Sequence, residues 1–334
     1  MGNHDNIKLT APEISTLWAG YQSNSMAICG LKYFLMHVDN EDIRSIIENA
    51  LTLSEQQLEK TTDFFRKEDY PVPQGFTEKD VNLNAPRLFS DKLYLAFVFN
   101  MTVVNLASHV ASLTTAVRSD LLQFYADCLS DSEELHMKTK EFSKEIGIHI
   151  RAPHIPTPSQ IDFVKKESFT AGWLTDRRPL LGSEITNLVF NARRNSLGQA
   201  VMTGFSQVAQ SKDVRKYFER GREISKKHIE VFNSILSNSY LSDGTILLTP
   251  EVTESTDPPF SDKFMMVLTS SLIASGIGQY GMSMSLSPRH DIAVQYSRLM
   301  IEIANYANDG ASIMIENGWM EQPPMAADRK GLAK

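Results

Sequence analysis

Cysteine is nearly absent: the chain has 334 residues and two of them, Cys29 and Cys128, are thiols. Two cysteines make no disulfide framework, and with Ala200 and Leu299 standing 171 positions on from them, both read as small core side chains rather than redox or metal groups. Clustered positive charge is missing too. The formal charge is −7 and no run of Lys and Arg forms a stripe, which argues against a nucleic-acid binder. The opening Met1-Gly2-Asn3-His4-Asp5 has neither the basic nor the apolar part of an export signal, so a reducing cytoplasm is the expected setting. Strand-like alternation is not found. Gly276-x-Gly278 lies inside a helical pattern and is therefore no phosphate loop. No serine or cysteine stands out as a nucleophile.

What the chain does contain is itself, twice. Phe89-Ser90-Asp91-Lys92 returns 171 positions later as Phe260-Ser261-Asp262-Lys263. At the same offset Glu13-Ile14 returns as Glu184-Ile185, Asn24-Ser25 as Asn195-Ser196, and Arg118, Asp120 and Tyr125 as Arg289, Asp291 and Tyr296. Glu145-x-Gly147 and Pro153 return as Glu316-x-Gly318 and Pro324, with no gap between any of these anchors. A repeat this long sets the architecture before any element is assigned. It divides the chain into halves at 1–150 and 181–325, a proline-bearing linker at 151–180 and a polar tail at 326–334.

Within each half the apolar spacing is helical. Ile14, Leu17, Tyr21, Ile28, Leu31 and Leu35 predict a first helix over 13–37. Asn40 is the expected cap of a second, which ends before Pro71-Val72-Pro73. No period runs from Tyr70 to Leu88, or from Leu241 to Pro259 in the second copy. So long a connection is what a four-helix bundle needs when its second and third helices run parallel. Ser90 and Ser261 are the expected caps of helix 3, and Ser287-Pro288 the expected start of helix 4 in the second copy. Gly147 and Gly318 are placed as left-handed helix ends.

Helix 3 carries no formal charge between Lys92 and Arg118, nor between Lys263 and Arg289. Roughly 25 residues of helix would cross a bilayer. Asn100, Asn105, Ser108, His109 and Ser112 interrupt the first copy, however, and neither copy has basic flanks or aromatic belts. The expectation is a helix covered by protein, either between the bundles or against a second copy of the chain. The linker residues Phe163, Phe169 and Trp173-Leu174 are expected to pack on the bundles.

A bundle of this topology raises the di-iron carboxylate site, which needs a Glu-x-x-His on each of two helices. The sequence offers one, Glu133 to His136, and the repeat places Ala304 and Ala307 opposite it. It reads as surface. No histidine faces another across the repeat; His228 faces Gln57 and His109 faces Tyr280. The remaining candidate is a polar layer at the mid-level of each bundle: Asn24, Gln57 and Asn105 in the first, Asn195 and His228 in the second, with Glu302 and Tyr306 nearby. Such a layer fixes packing register. The sharper alternative is a small-ligand or single-metal pocket in the second copy, with His228 and Glu302 holding a transition metal. One imidazole and one carboxylate underfill a metal shell, so the reading without a cofactor leads.

The anchors taken together, especially Ala85-Pro86-Arg87-Leu88-Phe89-Ser90-Asp91 and Glu316-Asn317-Gly318-Trp319 with Gln322-Pro323-Pro324, resemble the bacterial domain of unknown function 3231 family over nearly the whole chain. The resemblance implies ferritin-like helical bundles and transfers no catalytic residue. The expected fold is therefore all-α: two tandem four-helix bundles related by a pseudo-twofold duplication. The expected role is binding or structural rather than enzymatic, in sporulation or stress response.

Overall fold

The computed structural model describes residues 7–173 and 177–333, and among them every regular element is a helix. Four long helices build each half: α1 Ala11–His37, α2 Glu41–Lys67, α3 Asp91–Thr115 and α4 Ser119–Glu145, then α5 Gly182–Val208, α6 Lys212–Ser237, α7 Asp262–Ser285 and α8 His290–Glu316. A short α9, Arg329–Leu332, follows.

Local chemistry sets their ends. Thr10 and Glu13 form a capping box at α1, and the Asn40 carboxamide accepts from the Ile43 amide at 3.0 Å to start α2. α2 and α6 close alike. Tyr70 N–H reaches Phe65 C=O at 2.9 Å and Leu241 N–H reaches Leu236 C=O at 3.1 Å. Asp69 and Tyr240, equivalent in the repeat, take up the left-handed turn at φ 51° and 58°. Gly147 and Gly318 sit at φ 74° and 66°, as their placement after α4 and α8 predicts.

Two predicted caps behave differently. Ser261 accepts from Phe264 N–H at 3.1 Å, whereas the Ser90 hydroxyl donates to the Glu251 carboxylate at 2.5 Å. Ser287 donates back to Ser283 C=O at 2.7 Å, so it closes the end of α7 rather than starting α8, which opens at His290 with Arg289 as its cap.

The chain divides into two compact units. Unit 1 comprises Met1–Leu83, Val98–Thr139 and Gly318–Lys334; unit 2 comprises Asn84–Phe97 and Lys140–Asn317. In unit 1, Leu17, Phe64, Phe65, Leu121 and Tyr125 form an apolar cluster. The Ser25 hydroxyl accepts from Phe76 N–H at 3.1 Å and holds the long connection after α2. Glu321 receives Gln22 Nε2 and the amides of Gln74 and Gly75 at 2.6, 2.9 and 3.1 Å.

In unit 2 the direction of packing can be read from pairs. Asn187 meets Ser283 and Asn195 meets Tyr280, so α5 and α7 run antiparallel. Tyr217 meets Tyr306 and His228 meets Glu302, so α6 and α8 do too. With α5 and α6 joined by a tight turn, α6 and α7 are parallel, which is why residues 238–261 must span the bundle. Ser196 holds that span as Ser25 does in unit 1, accepting from Leu248 N–H at 3.1 Å. The core packs Leu188, Ala192, Phe232, Tyr280, Ile292, Tyr296 and Leu299. Asn84–Phe97 is part of this unit: Phe89 pairs with Val252 as an antiparallel bridge, and its ring lies 6.3 Å from that of Phe205 over Gly204.

The expectation that helix 3 is covered throughout is not met. Leu93, Tyr94, Leu95 and Val98 are buried, but Ala107, Ser108, Val110, Ala111 and Thr114 are exposed, and 28% of the most apolar window is buried. Lack of charge is not burial: apart from Val110, the exposed residues beyond Asn100 are small or hydroxyl-bearing, and water solvates them well. Among the described residues α3 is the one helix long and apolar enough, by length and composition, to cross a membrane. The linker also departs from expectation. Phe163 and Trp173 are 79% and 58% exposed. Phe169 is half-buried under the Arg178 guanidinium, and Leu174 lies outside the described residues.

Candidate functional site

The mid-level residues of the second bundle come together. α6 turns His228 inward until it is 0% exposed. Its Nδ1 lies 2.9 Å from the Tyr280 hydroxyl on α7, and its Nε2 lies 3.1 Å from Glu302 Oε2 on α8. Asn195 on α5 donates Nδ2 to the same hydroxyl at 2.7 Å. Each helix of the bundle supplies one member.

The donor directions follow. Asn195 N–H can only donate, so Tyr280 passes its own proton to His228 Nδ1. The neutral ring then carries its hydrogen on Nε2 and gives it to Glu302. Burial pulls the His228 pKa below its ordinary value against the pull of Glu302. Burial also raises Glu302, but Lys227 and His228 overrule it and hold the carboxylate ionised. Lys227 Nζ clamps that carboxylate at 2.7 and 3.0 Å on the solvent side.

A second set lies one turn along. Asn191 Nδ2 donates to Ser283 Oγ at 2.8 Å, and Ser283 donates to Asn187 Oδ1 at 3.3 Å. The Tyr296 hydroxyl, 3.4 Å from Asn191 Nδ2, is pushed up to about 12 by burial. Tyr306, expected near Glu302, instead stacks on Tyr217 with ring centres 4.1 Å apart.

These groups do not fit a metal. The donor set is one imidazole and one carboxylate, and the Lys227 ammonium on that carboxylate opposes a cation. Among the described residues no group of three or more His, Cys, Asp and Glu is placed to hold an ion. Glu133 is exposed, while His136 turns to Thr102 Oγ1 at 2.9 Å.

The first bundle does not repeat this chain. Gln57 is buried and Asn24 and Asn105 are half-buried, and no side-chain hydrogen bond joins them to one another among the described residues. His109 and Asp131 stand at the positions of Tyr280 and Glu302. His109 Nε2 is buried without a partner, and desolvation lowers its pKa to about 4. Desolvation, then Asp127 and Glu134, raises Asp131.

Sequence reasoning missed Tyr280 as the central link. Its signal is the pairing of His109 with Tyr280 across the repeat, polar against polar at an interior level. It also gave no role to the anchors Glu13 and Glu184, which are 1% and 0% exposed. Glu13 accepts the amides of Thr10, Val117 and Arg118 at 2.7, 2.9 and 2.9 Å. Burial would raise it, but these donors bring it down to about 2. Glu184 accepts both Arg178 terminal nitrogens at 2.8 Å and the amides of Leu181 and Arg289 at 2.8 and 3.2 Å. Each carboxylate therefore ties the start of its first helix to the turn before its fourth.

No match was found among curated proteins. A Bacillus halodurans C-125 structure, provisionally described as a spore coat protein, is similar at 18% identity over 48% of this chain and 100% of its own, with a TM-score of 0.40. A family model described as Protein of unknown function (DUF3231) matches residues 1–161 and again 168–332. With both repeats matched over almost their full length, the chain belongs to the DUF3231 family as a tandem, two-repeat member.

Proposed function

We propose that this chain has a non-enzymatic binding or structural role, and that its mid-bundle polar chain is a register device rather than a reaction site. What supports this is closure. Both ring nitrogens of His228, the Tyr280 hydroxyl and both Glu302 oxygens are engaged within the protein, and His228 is 0% exposed. A ligand there would have to break bonds that the fold already makes. Elemental analysis of purified protein tests the reading. It predicts no stoichiometric transition metal; a stoichiometric metal that is lost in His228→Ala overturns it.

The setting assigned to this role is the cytoplasm, in sporulation or stress response, by analogy with helical-bundle coat proteins. A deletion strain with unchanged spore and stress survival would remove that setting. The partner assigned is a second copy through the exposed half of α3, an uncharged face of small and hydroxyl-bearing residues around Val110 at 47% exposure, with Val117 at 67% just past the helix end, which repels no copy of itself. Sedimentation velocity should show a dimer that Val110→Lys dissociates. A monomer, or a chain that needs detergent, contradicts it.

A further inference from the structure

The duplication gives each half the same buried arginine, and the two differ in one partner. In unit 1, Arg118 forks onto Asp120 at 3.0 and 2.6 Å, gives a third bond to Ile7 C=O at 3.3 Å, and pairs with the Glu68 carboxylate. In unit 2, Arg289 forks onto Asp291 at 2.9 and 2.7 Å and gives the same third bond to Arg178 C=O at 3.3 Å. Ser239 stands where Glu68 does in the first copy, so no carboxylate completes the set.

Instead there is a cavity of about 210 Å³, lined by Arg177, Arg178, Asn238, Ser239, Tyr240 and Arg289 among others. Two changes make it cationic. Ile7 of the first copy is replaced by Arg178, and Arg177 precedes it. Arg178 is fully used by Glu184 at 2.8 Å to each oxygen. Arg177 spends Nε on Gly172 C=O at 2.9 Å, with Asp291 at 3.7 Å, and its terminal nitrogens carry no hydrogen bond among the described residues. Three guanidinium groups thus meet two carboxylates, Glu184 and Asp291, at a cavity whose counterpart holds a third carboxylate. Tyr240, 99% exposed and at φ 58°, stands at the rim.

We propose that this cavity binds a small carboxylate from solution, its oxygens taking the place that Glu68 fills in unit 1 and receiving Arg289 and Arg177. Guanidinium forks match carboxylates in just this way. The volume suits a small organic acid, being below the range of drug-sized pockets. The helix end beside it is no obstacle, since Glu68 caps α2 at the same level.

Calorimetric titration of the full chain with succinate, and separately with inorganic phosphate, at fixed ionic strength tests this. Ser239→Glu supplies the missing carboxylate internally, and Arg177→Gln removes a half-exposed donor; neither breaks the Arg289–Asp291 pair. Asp176→Asn removes the carboxylate next to Arg177 in the chain, which lies outside the described residues. Succinate should bind the wild-type chain or Asp176→Asn, and at least tenfold more weakly to the Ser239→Glu and Arg177→Gln chains. No succinate binding by either of the first two, binding that Ser239→Glu leaves unchanged, or Ser239-dependent binding of phosphate alone overturns the assignment.

Discussion

A buried carboxylate that anchors two chain segments is the most consequential residue type in this protein. Removing Glu184 leaves Arg178 unpaired beside a closed core, so Glu184→Ala should cost about 3–5 kcal/mol in urea unfolding. Ionisation adds an acid-sensitive term. Glu13 titrates near 2 in the fold against an ordinary 4.5, so its contribution is complete above about pH 4.5 and is lost as pH falls towards 2. His109 has the opposite charge type but the same outcome. Burial holds it neutral to about 4 while the unfolded chain takes up its proton near 6.5, so stability falls as pH drops through that window. Unfolding measured from pH 7 to 4 should show this slope, and His109→Gln should flatten it; an unchanged slope contradicts the assignment. None of this was legible beforehand. Glu13 and Glu184 could be seen to recur, but the amides they receive come from turns about a hundred residues away.

At the scale of elements the sequence was a good guide where the controlling force is local and a poor one where it is not. Asn40, Gly147 and Gly318 act on neighbouring amides and behave as their types predict. Ser90 does not, because its hydroxyl is turned towards a carboxylate 161 residues on, Glu251, to which it donates. The charge-free third helix misled for a different reason: small and hydroxyl-bearing side chains are apolar enough to lack charge and polar enough to face water. The pairing of Phe89 with the α5 surface gives a prediction at this scale. A methyl added at Gly204 would run into the Phe89 ring, so Gly204→Ala should destabilise by about 1–3 kcal/mol. Phe89→Ala should cost about 3–5 kcal/mol, as the ring leaves a hole against Phe205. Thermal melts that place both variants within error of the parent would show that the arm is not part of that core.

For the whole molecule, the duplication was plain at the level of sequence and the two bundles follow from it. Their unlike interiors do not. Asn195, His228 and Glu302 could be picked out as mid-level polar residues, yet Asn24, Gln57 and Asn105 looked equally good and are not hydrogen-bonded to one another among the described residues. A tyrosine in place of His109 makes the difference, since its hydroxyl both accepts from Asn195 and donates to His228. Unit 2 also draws on Asn84–Phe97, so a fragment of residues 168–332 should unfold at lower urea than the intact chain's second unit. The most direct test is the imidazole ¹⁵N spectrum of His228, recorded from pH 8 to 5 with and without added divalent transition metal. A closed structural layer predicts a neutral ring protonated on Nε2, with its titration displaced below the ordinary histidine value and no response to metal. A ring that titrates near 6.5, or whose nitrogens shift on adding the metal, would contradict it.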